Sequence, residues 1–362
     1  MTPTLQQESE RLVRSWMRHD ETLLRDYLVA DVEDPRLNVQ SVLSRHFLAF
    51  ELTGDRLARL AEEELRFAAC LNWMLALSKD GAANPEALLH GLRVGADNGE
   101  GTGIPVFLAE TFRRLPVAVA GCAIPNYVES ILSAAAARER LDWPPPELDL
   151  FEGLWRQVLA VESPGGLTAI EPACGSANDY RFLDRYGLAR LIRYTGFDLC
   201  ESNVANARRL FPAARFETGN IFAIEAADRS VDLGIVHDLF EHLSPEGLER
   251  ATAELCRVIR SAACVGFFNM EEMPEHLIRP VDDYHWNRLS MARLRERFVV
   301  LGFDVQVIHV GTYLRSRVGC RTTHNDGAYT FVLERRDEKR QAGPASANEP
   351  DRGRSPADES DR

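Results

Sequence analysis

Acidic, amide and small residues follow three successive short apolar runs in the middle of the chain. Glu171 ends the first run and precedes a small-residue turn centred on Gly175, Asp198 ends the second, and Asn220 follows the third. Small residues let a backbone approach a ligand closely, and the helix after such a turn presents N–H groups to an anion. A carboxylate at the end of the next strand can accept hydrogen bonds from ribose hydroxyls. This order predicts a site for an adenosine-bearing ligand.

A second group of reactive side chains follows the fourth and fifth apolar runs. If a helix starts after the fourth run, Asp238, Glu241 and His242 share one face at i, i+3 and i+4. Such a set, with the later His285, is a candidate site for a magnesium or manganese ion, although the same residues also fit a helix start without metal. His285 and His237 are the predicted catalytic residues, because an imidazole can take a proton from an acceptor hydroxyl.

A scaffold must bring these strand ends together. Between about residues 150 and 335, apolar runs alternate with amphipathic helices, which predicts an α/β fold with a doubly wound, mostly parallel sheet covered on both faces. The last two runs lie close together without a clear helix between them, so we predict an antiparallel hairpin at one edge. The seven predicted strands are 167–170, 194–197, 215–217, 231–236, 263–268, 303–310 and 328–333.

The rest of the chain has a different composition. Residues 1–145 are predicted to form an all-helical domain that covers the pocket, selects the acceptor or mediates a homodimer. The polar stripe Asn38, Ser41, Arg45 and His46 is interpreted as a solvated face rather than as substrate contacts. Residues 336–362 lack large apolar side chains and are predicted to be a disordered tail. The 20-residue stretch 270–289 is too long for a simple connection, so we expect it to be functional.

Composition excludes several classes of protein. The chain has 362 residues and a net charge of −13, which suits about two domains and disfavours nucleic acid as a partner. It shows no uncharged apolar run of about 18 residues and no apolar signal segment at its start, so we expect a soluble, cytoplasmic protein without a membrane partner. Its seven cysteines form no CxxC pair, which disfavours a zinc cluster or a disulfide framework.

In this order the motifs resemble those of the class I S-adenosylmethionine-dependent methyltransferases. Residues 171–177 are similar to the first motif of that family, Asp198 to its ribose-binding acid, Asn220 to its adenine contact, and 236–242 to its segment beneath the sulfonium. The resemblance covers residues 150–335 and implies a seven-stranded Rossmann-like sheet with S-adenosylmethionine as cofactor. The residues implied to bind it are Glu171, Ala173, Gly175, Ser176, Asp198, Leu199, Asn220, Ile221 and His237.

The sequence departs from that family at two alanines and resembles some of its metal-using members. Ala173 and Ala177 stand where glycines are usual, and the turn stays possible if their φ angles are negative. The pattern of an acid, a Glu–His pair and a later histidine resembles ubiquinone-biosynthesis O-methyltransferases and small-RNA 2′-O-methyltransferases. For these branches a divalent ion near the acceptor hydroxyl is implied.

We therefore predict an enzyme that methylates a hydroxyl of a polar small molecule, such as a sugar or a natural product. The acceptor loops are rich in histidines and acids and carry few aromatic residues beyond Tyr284 and Trp286, which disfavours a purely aromatic acceptor. An RNA 2′-O-methyltransferase is an alternative that the net charge opposes. A non-catalytic S-adenosylmethionine-binding scaffold is another, and a nicotinamide oxidoreductase is disfavoured because GxGxxG is absent.

Overall fold

A seven-stranded sheet forms the centre of the computed structural model, which describes residues 2–17, 38–79, 150–319 and 325–336. Its strands are β1 (Thr168–Pro172), β2 (Arg193–Asp198), β3 (Arg215–Thr218), β4 (Val231–His237), β5 (Ile259–Phe267), β10 (Phe303–His309) and β11 (Tyr329–Arg335). Four two-residue strands lie between β5 and β10: β6 (Met270–Glu271), β7 (Pro280–Val281), β8 (Tyr284–His285) and β9 (Leu289–Ser290). The sheet order is β10-β11-β5-β4-β1-β2-β3, and β11 alone in this sheet runs antiparallel to its neighbours. The predicted fold class is confirmed.

Helices cover both faces of the sheet. Within the described residues they are α1 (Pro3–Met17), α2 (Val39–Thr53), α3 (Ala58–Lys79), α4 (Leu150–Leu159), α5 (Asn178–Arg185), α6 (Glu201–Leu210), α7 (Pro245–Val258), α8 (Met291–Val300) and α9 (Val310–Val318). Apolar residues of α2 to α6 and α9 share one core with one face of the sheet, and those of α1, α7 and α8 share the other. None of these helices is long and apolar enough to cross a membrane.

Local sequence signals explain where the helices after β4 begin. The Ser244 hydroxyl accepts a hydrogen bond from Gly247 N–H at 3.0 Å, and Pro245 takes the first helical position of α7. The Ser290 hydroxyl accepts likewise from Arg293 N–H at 3.2 Å at the start of α8. Caps of this kind fix the loops at the carboxyl edge of the sheet, where the reactive side chains lie.

The predicted antiparallel pairing of the last two strands at one edge of the sheet is confirmed, but the expectation that no helix lies between them is wrong. Helix α9 lies between β10 and β11, and β11 inserts between β10 and β5 instead of forming the edge. Val310, Leu314 and Val318 are buried at the i, i+4 and i+8 positions of α9, and Gly319 ends the helix with φ +74°. This periodicity was present in the sequence, but it is short and interrupted by arginines.

The N-terminal helices pack directly on the sheet. Gln40 Nε2 of α2 donates to the backbone oxygens of Phe267 and Tyr329, each at 2.9 Å, at the ends of β5 and β11. Arg45 of the predicted solvated stripe is only 3% exposed, so that interpretation is wrong. Residues 80–149 and 337–362 lie outside the described residues, and the domain boundary near 145 and the disordered tail therefore stay predictions.

A buried carboxylate joins α2 and α3 to α4. Glu64 accepts from Arg45 Nη2 at 3.0 Å and from Trp155 Nε1 at 2.7 Å, and its other close partner is His46 Nε2 at 2.7 Å. Although burial opposes ionisation, the charge of Arg45 and the bond to His46 lower the pKa of Glu64 to about 2. The N-terminal helices are thereby tied to the first helix of the sheet-forming part by an ionic group rather than by apolar contact alone.

Candidate active site

The predicted site residues lie at the carboxyl edge of the sheet, where β1 and β4 are neighbours. The chain leaves β1 towards β2 on one side, whereas β4 leads to β5 on the other. A crevice opens at this kind of reversal in strand order, and ligands of doubly wound sheets bind there. The turns after β1 and β2 therefore face the loops after β4 and β5 across one crevice.

The turn after β1 contains three left-handed residues. Ala173, Gly175 and Ala177 have φ angles of +56°, +54° and +70°, so the expectation of negative φ at the alanines is wrong. This path brings Gly175 N–H to Asp198 Oδ2 at 3.0 Å and Cys174 N–H to the Phe197 oxygen at 3.1 Å. The nearest atom to a Cβ built on Gly175 would be Asn178 Nδ2 at 4.0 Å, which leaves room there for a ligand. Two alanines thus hold a strained backbone at the predicted cofactor turn.

We expect Ala173→Gly to stabilise the protein by about 1 kcal/mol. A left-handed conformation costs an alanine roughly 1 kcal/mol more than a glycine, and Ala173 is exposed, so removing its methyl group sacrifices no packing. Chemical denaturation measures the change. Ala213→Gly is the control, because Ala213 is also exposed in a turn but its φ is not positive; a stabilisation as large as that of Ala173→Gly would contradict the strain argument.

Asp198 organises the turn and retains capacity for a ligand. Its Oδ1 accepts from Cys200 N–H at 2.8 Å and Asn203 Nδ2 at 3.2 Å, while Oδ2 accepts from Gly175 N–H. Burial raises the pKa of this carboxyl. Each carboxylate oxygen has two acceptor positions, so Oδ2 can also accept from a ribose hydroxyl. The Ser176 hydroxyl is buried and donates to Asn203 Oδ1 at 3.5 Å, so this side chain supports the turn.

Glu171 is a buried carboxyl among other acids. It accepts a hydrogen bond from the Tyr194 hydroxyl at 2.5 Å. Burial, and next the charge of Asp179, raise its pKa to about 8, so Glu171 keeps its proton at neutral pH. A cationic group beside it would lower that pKa again. The donor set thus fits S-adenosylmethionine, whose amine and sulfonium are positively charged and whose ribose presents hydroxyls to Asp198.

His237 lies between two polar side chains, and the sequence analysis predicted neither of them as its partner. Its Nδ1 lies 2.8 Å from Asp179 Oδ2 and its Nε2 lies 2.5 Å from the Ser44 hydroxyl of α2. Although burial opposes the charge, Asp179 raises the pKa of His237 to about 9. Because an imidazolium cannot accept a proton, the pair with Asp179 disfavours His237 as a base, and its catalytic role stays a prediction. It lies beside Glu171 and Asp179 as a charged group of the predicted cofactor pocket.

The end of the predicted adenine region contacts the first helix of the chain. Asn220 Oδ1 accepts from Phe222 N–H at 2.9 Å, and its Nδ2 donates to the Ser9 hydroxyl at 2.8 Å. Ile221 is buried and Leu199 is half-buried against the same core. Both polar atoms of the Asn220 side chain are thus paired within the protein, and its contact with an adenine stays a prediction.

Helix α1 lies across three loops of the carboxyl edge. Besides the contact of Ser9 with Asn220, the Glu8 carboxylate accepts from the N–H and hydroxyl of Ser244, after β4. Arg14 approaches Asp283, after β5, at 3.8 Å. The helix therefore covers the side of the crevice on which His285 lies. No periodicity in residues 1–17 identifies these partners, because each of them is more than 200 residues away along the chain.

The four predicted metal ligands do not converge. Glu241 is fully buried, and its Oε1 accepts from the N–H groups of Phe268 and Asn269 at 2.7 and 3.2 Å. His242 Nδ1 faces the backbone oxygen of His285 at 3.2 Å, while the His285 imidazole is near Glu8 of α1. No group of three metal-binding side chains occurs in the part of the chain that the structure describes. The metal prediction, which also included the exposed Asp238, is not confirmed: in this structure Glu241 and His242 tie the loops after β4 and β5 together.

Aromatic side chains collect around His242. Its ring centroid lies 5.4 Å from that of Phe268, 5.7 Å from that of Tyr284 and 5.5 Å from that of Trp286. Phe268 and Trp286 are themselves 5.0 Å apart. Tyr284 and Trp286 belong to a β-hairpin of residues 277–288 within the stretch expected to be functional. The sequence analysis judged the loops poor in aromatics because it did not place Phe268 with them.

A doubly wound sheet with acids at the ends of its first two strands and a left-handed turn between them is the arrangement of a Rossmann-like domain. Residues 169–262 match the family model described as a methyltransferase domain. This part of the chain is therefore a methyltransferase domain with the strand order of the Rossmann-like fold.

Individual relatives match only part of the chain. A protein of Mycolicibacterium smegmatis named "Probable S-adenosylmethionine-dependent methyltransferase" is 28% identical over 116 residues, which cover 32% of this chain and 44% of that relative's length. An S-adenosylmethionine-dependent methyltransferase of known structure from Mesorhizobium loti is 15% identical, with 51% of this chain and 96% of that chain covered and a TM-score of 0.37. A TehB-like methyltransferase from Corynebacterium glutamicum is 16% identical, with coverages of 58% and 96% and a TM-score of 0.36. The strand order, rather than these overlaps, defines the fold.

Proposed function

We propose that this protein transfers the methyl group of S-adenosylmethionine to a hydroxyl of a polar small molecule, such as a sugar or a natural product. The observation that supports it most is the pairing of two buried acids, Glu171 and Asp198, on either side of the left-handed turn at Gly175. Bound S-adenosylmethionine supplies an electrophilic methyl group on a positively charged sulfur. The chain's own residues have to bind that cofactor, align the acceptor and remove the acceptor's proton.

The cofactor is proposed to be bound by the acids of the crevice. Asp198 Oδ2 accepts from a ribose hydroxyl while it continues to hold the Gly175 N–H. Glu171, which lies near the His237–Asp179 pair, would lose its proton on pairing with the amine of the methionine moiety. Because His237 is positively charged, it balances Asp179 and limits the negative charge of the pocket.

His285 is proposed as the base for the acceptor hydroxyl. Burial lowers its pKa, so its imidazole is neutral near pH 7 and can accept a proton, in contrast to that of His237. It lies in β8, the second strand of the hairpin after β5, and this strand contacts α1. A base in this place acts on an acceptor that enters between the hairpin and the cofactor crevice.

Calorimetric titration with S-adenosylhomocysteine tests the cofactor assignment. The wild-type protein is expected to bind with micromolar affinity, and Asp198→Ala to bind at least tenfold more weakly. Because Asp198 also orders the turn, Asp198→Asn is the second variant: it keeps one acceptor oxygen, and its thermal unfolding shows whether the fold is retained. Absence of binding by a folded wild-type protein would overturn the proposed function, and equal affinity in both variants would remove Asp198 from the site.

With an identified acceptor, we expect His285→Gln to lower kcat by about 100-fold or more. The affinity for S-adenosylhomocysteine should change little. In the wild-type enzyme, activity is expected to fall as the pH drops and His285 becomes protonated; this acid limb should disappear in the variant. His309→Gln is the control, because that histidine, at the carboxyl end of the edge strand β10, bonds to Thr312 and Asp326 and is separated from β5 by β11. An unchanged acid limb in His285→Gln would assign the base to another residue.

A further inference from the structure

The aromatic group of Phe268, Tyr284 and Trp286 around His242 has a side open to solvent. Trp286 is 41% exposed although it packs against Phe268 and His242, and Phe268 and Tyr284 are half-buried. Large aromatic side chains that face water at the rim of a crevice are characteristic of binding surfaces, since exposing them has no benefit for the fold itself. The open side therefore calls for an explanation in terms of a ligand.

Buried polar groups hold this aromatic surface in place. Asn287 donates through Nδ2 to the Leu243 oxygen at 2.7 Å and accepts through Oδ1 from Arg279 N–H at 3.0 Å. Its own N–H donates to the Glu241 oxygen at 2.9 Å, and Glu241 in turn binds the N–H of Phe268. The loops after β4 and β5 and the hairpin are thus joined by one network in which the Asn287 and Glu241 side chains are fully buried. An aromatic surface fixed in this way is preorganised for a rigid ligand.

The aromatic surface lies next to the predicted cofactor crevice. His242 follows β4 by five residues and Phe268 directly follows β5, while Glu171 and Asp198 follow β1 and β2. Because β4 lies between β5 and β1 in the sheet, the aromatic surface and the acids flank the same strand end. His285, on the same hairpin, lies between Tyr284 and Trp286 in the chain, with its side chain towards α1.

From this arrangement we infer that the acceptor is an aromatic hydroxyl compound whose ring binds against Trp286, Phe268 and Tyr284. This inference rests on the proposed function and narrows its acceptor from any polar hydroxyl compound to a phenol. The charges nearby are balanced, since Asp283 pairs with Arg14 and both Glu8 and Arg11 lie near His285, so the ring rather than a charged substituent is recognised and the acceptor is a neutral phenol or catechol. Loss of one aromatic stacking partner of this kind is expected to weaken binding about fivefold to tenfold.

The transfer on such an acceptor is balanced without further reagents. The phenol oxygen forms a bond to the methyl carbon while the bond from that carbon to the sulfonium sulfur breaks, which leaves a neutral thioether. The phenol proton passes to an imidazole and then to water. A phenol loses its proton more readily than an aliphatic alcohol does, so a neutral histidine is a sufficient base.

The experiment uses the full chain saturated with S-adenosylhomocysteine, with catechol as the aromatic probe and myo-inositol as the polyol probe. Ligand-observed NMR saturation transfer measures binding of each. Catechol is expected to bind and myo-inositol to bind at least tenfold more weakly. Trp286→Ala should reduce catechol affinity about tenfold, and Trp286→Phe should restore most of it. Phe50→Ala is the matched control, because Phe50 is also exposed, at 50%, but lies on α2 outside the aromatic group.

Titration with S-adenosylhomocysteine distinguishes a failure of the aromatic acceptor from a failure of the proposed function. If every variant binds S-adenosylhomocysteine as the wild-type protein does and catechol binding follows Trp286, the inference is supported. If S-adenosylhomocysteine binds but catechol binds no better than myo-inositol, or is unaffected by Trp286→Ala, the aromatic acceptor is overturned while the proposed function stands. If the folded wild-type protein does not bind S-adenosylhomocysteine, the proposed function fails, and the inference fails with it.

Discussion

Replacement of Glu171 by glutamine is expected to stabilise the ligand-free protein and to weaken its binding of S-adenosylhomocysteine. At pH 7.5 we expect a gain of about 2–4 kcal/mol in the free energy of unfolding, because the buried carboxyl must keep a proton that it would release in the unfolded chain. Glutamine is neutral in both states and can still accept the bond from Tyr194. It cannot pair as an anion with the ligand's amine, so affinity should fall at least tenfold.

The direction of the expected change in stability follows from the pH dependence of the Glu171 contribution. The unfolded carboxyl ionises near its ordinary pKa of about 4.5, and the folded carboxyl near 8. Since the folded state binds more protons between these values, the contribution of Glu171 is fully favourable below about pH 4.5 and is lost as the pH rises to 8. Denaturation curves of wild type and Glu171→Gln should therefore converge at low pH and separate towards pH 8.

Proton release on binding provides an independent measurement. When the amine binds, Glu171 of the wild-type protein should give up its proton near pH 7, and titrations in buffers of different ionisation enthalpy will reveal it. Tyr194→Phe is the control that removes the phenolic donor but keeps the carboxyl. Equal stability and equal affinity of wild type and Glu171→Gln at pH 7.5 would contradict both the raised pKa and the ligand role.

Glu64→Ala is expected to destabilise the protein by about 3–5 kcal/mol. The substitution removes from Arg45 the carboxylate that balances its buried charge, and it also removes the acceptor of Trp155 Nε1. In the wild type, the lowered pKa of Glu64 means that its contribution is present above about pH 4.5 and is lost as the pH falls towards 2. Chemical denaturation at pH 7 measures the difference.

Glu62→Ala is the matched control for this prediction. Glu62 lies on the same helix and pairs with Arg66 at 2.8 Å, but its side chain is partly exposed, so the expected loss is below about 1 kcal/mol. Because Glu64 joins α2 and α3 to α4, the wild-type protein should lose near-UV and far-UV signals in one transition. A loss below 1 kcal/mol in Glu64→Ala would show that the N-terminal helices dock mainly through their apolar residues.

Local order along the chain made the cofactor side of the site predictable. Glu171, Gly175 and Asp198 each follow an apolar run, and in a parallel sheet all such ends meet at one edge. The positive φ of Ala173 was not predictable, because tertiary contacts such as Gly175 N–H to Asp198 hold the strained turn. The pattern shows which residues follow a strand, but not which backbone conformation the fold imposes on them.

The acceptor side depended on contacts between distant parts of the chain. The spacing of Glu241 and His242 fitted a metal site and a helix start equally well, and only their bonds to the loops after β5 distinguish the two. Ser44 contacts His237 across 193 residues, and the sequence holds no local sign of that pairing. Phe268 likewise joins Tyr284 and Trp286 only when the hairpin folds back.

The insertion of β11 between β10 and β5 has a consequence for synthesis on the ribosome. The outer edge of β5 pairs with residues 329–334 of β11, so it stays without its partner strand until that late segment has been made. During this interval β5 offers open backbone N–H and C=O groups and the apolar side chains of Val265 and Phe267. The nascent chain is therefore most exposed to aggregation just before its last strand emerges, and a premature stop ahead of residue 329 leaves an open sheet that cannot close.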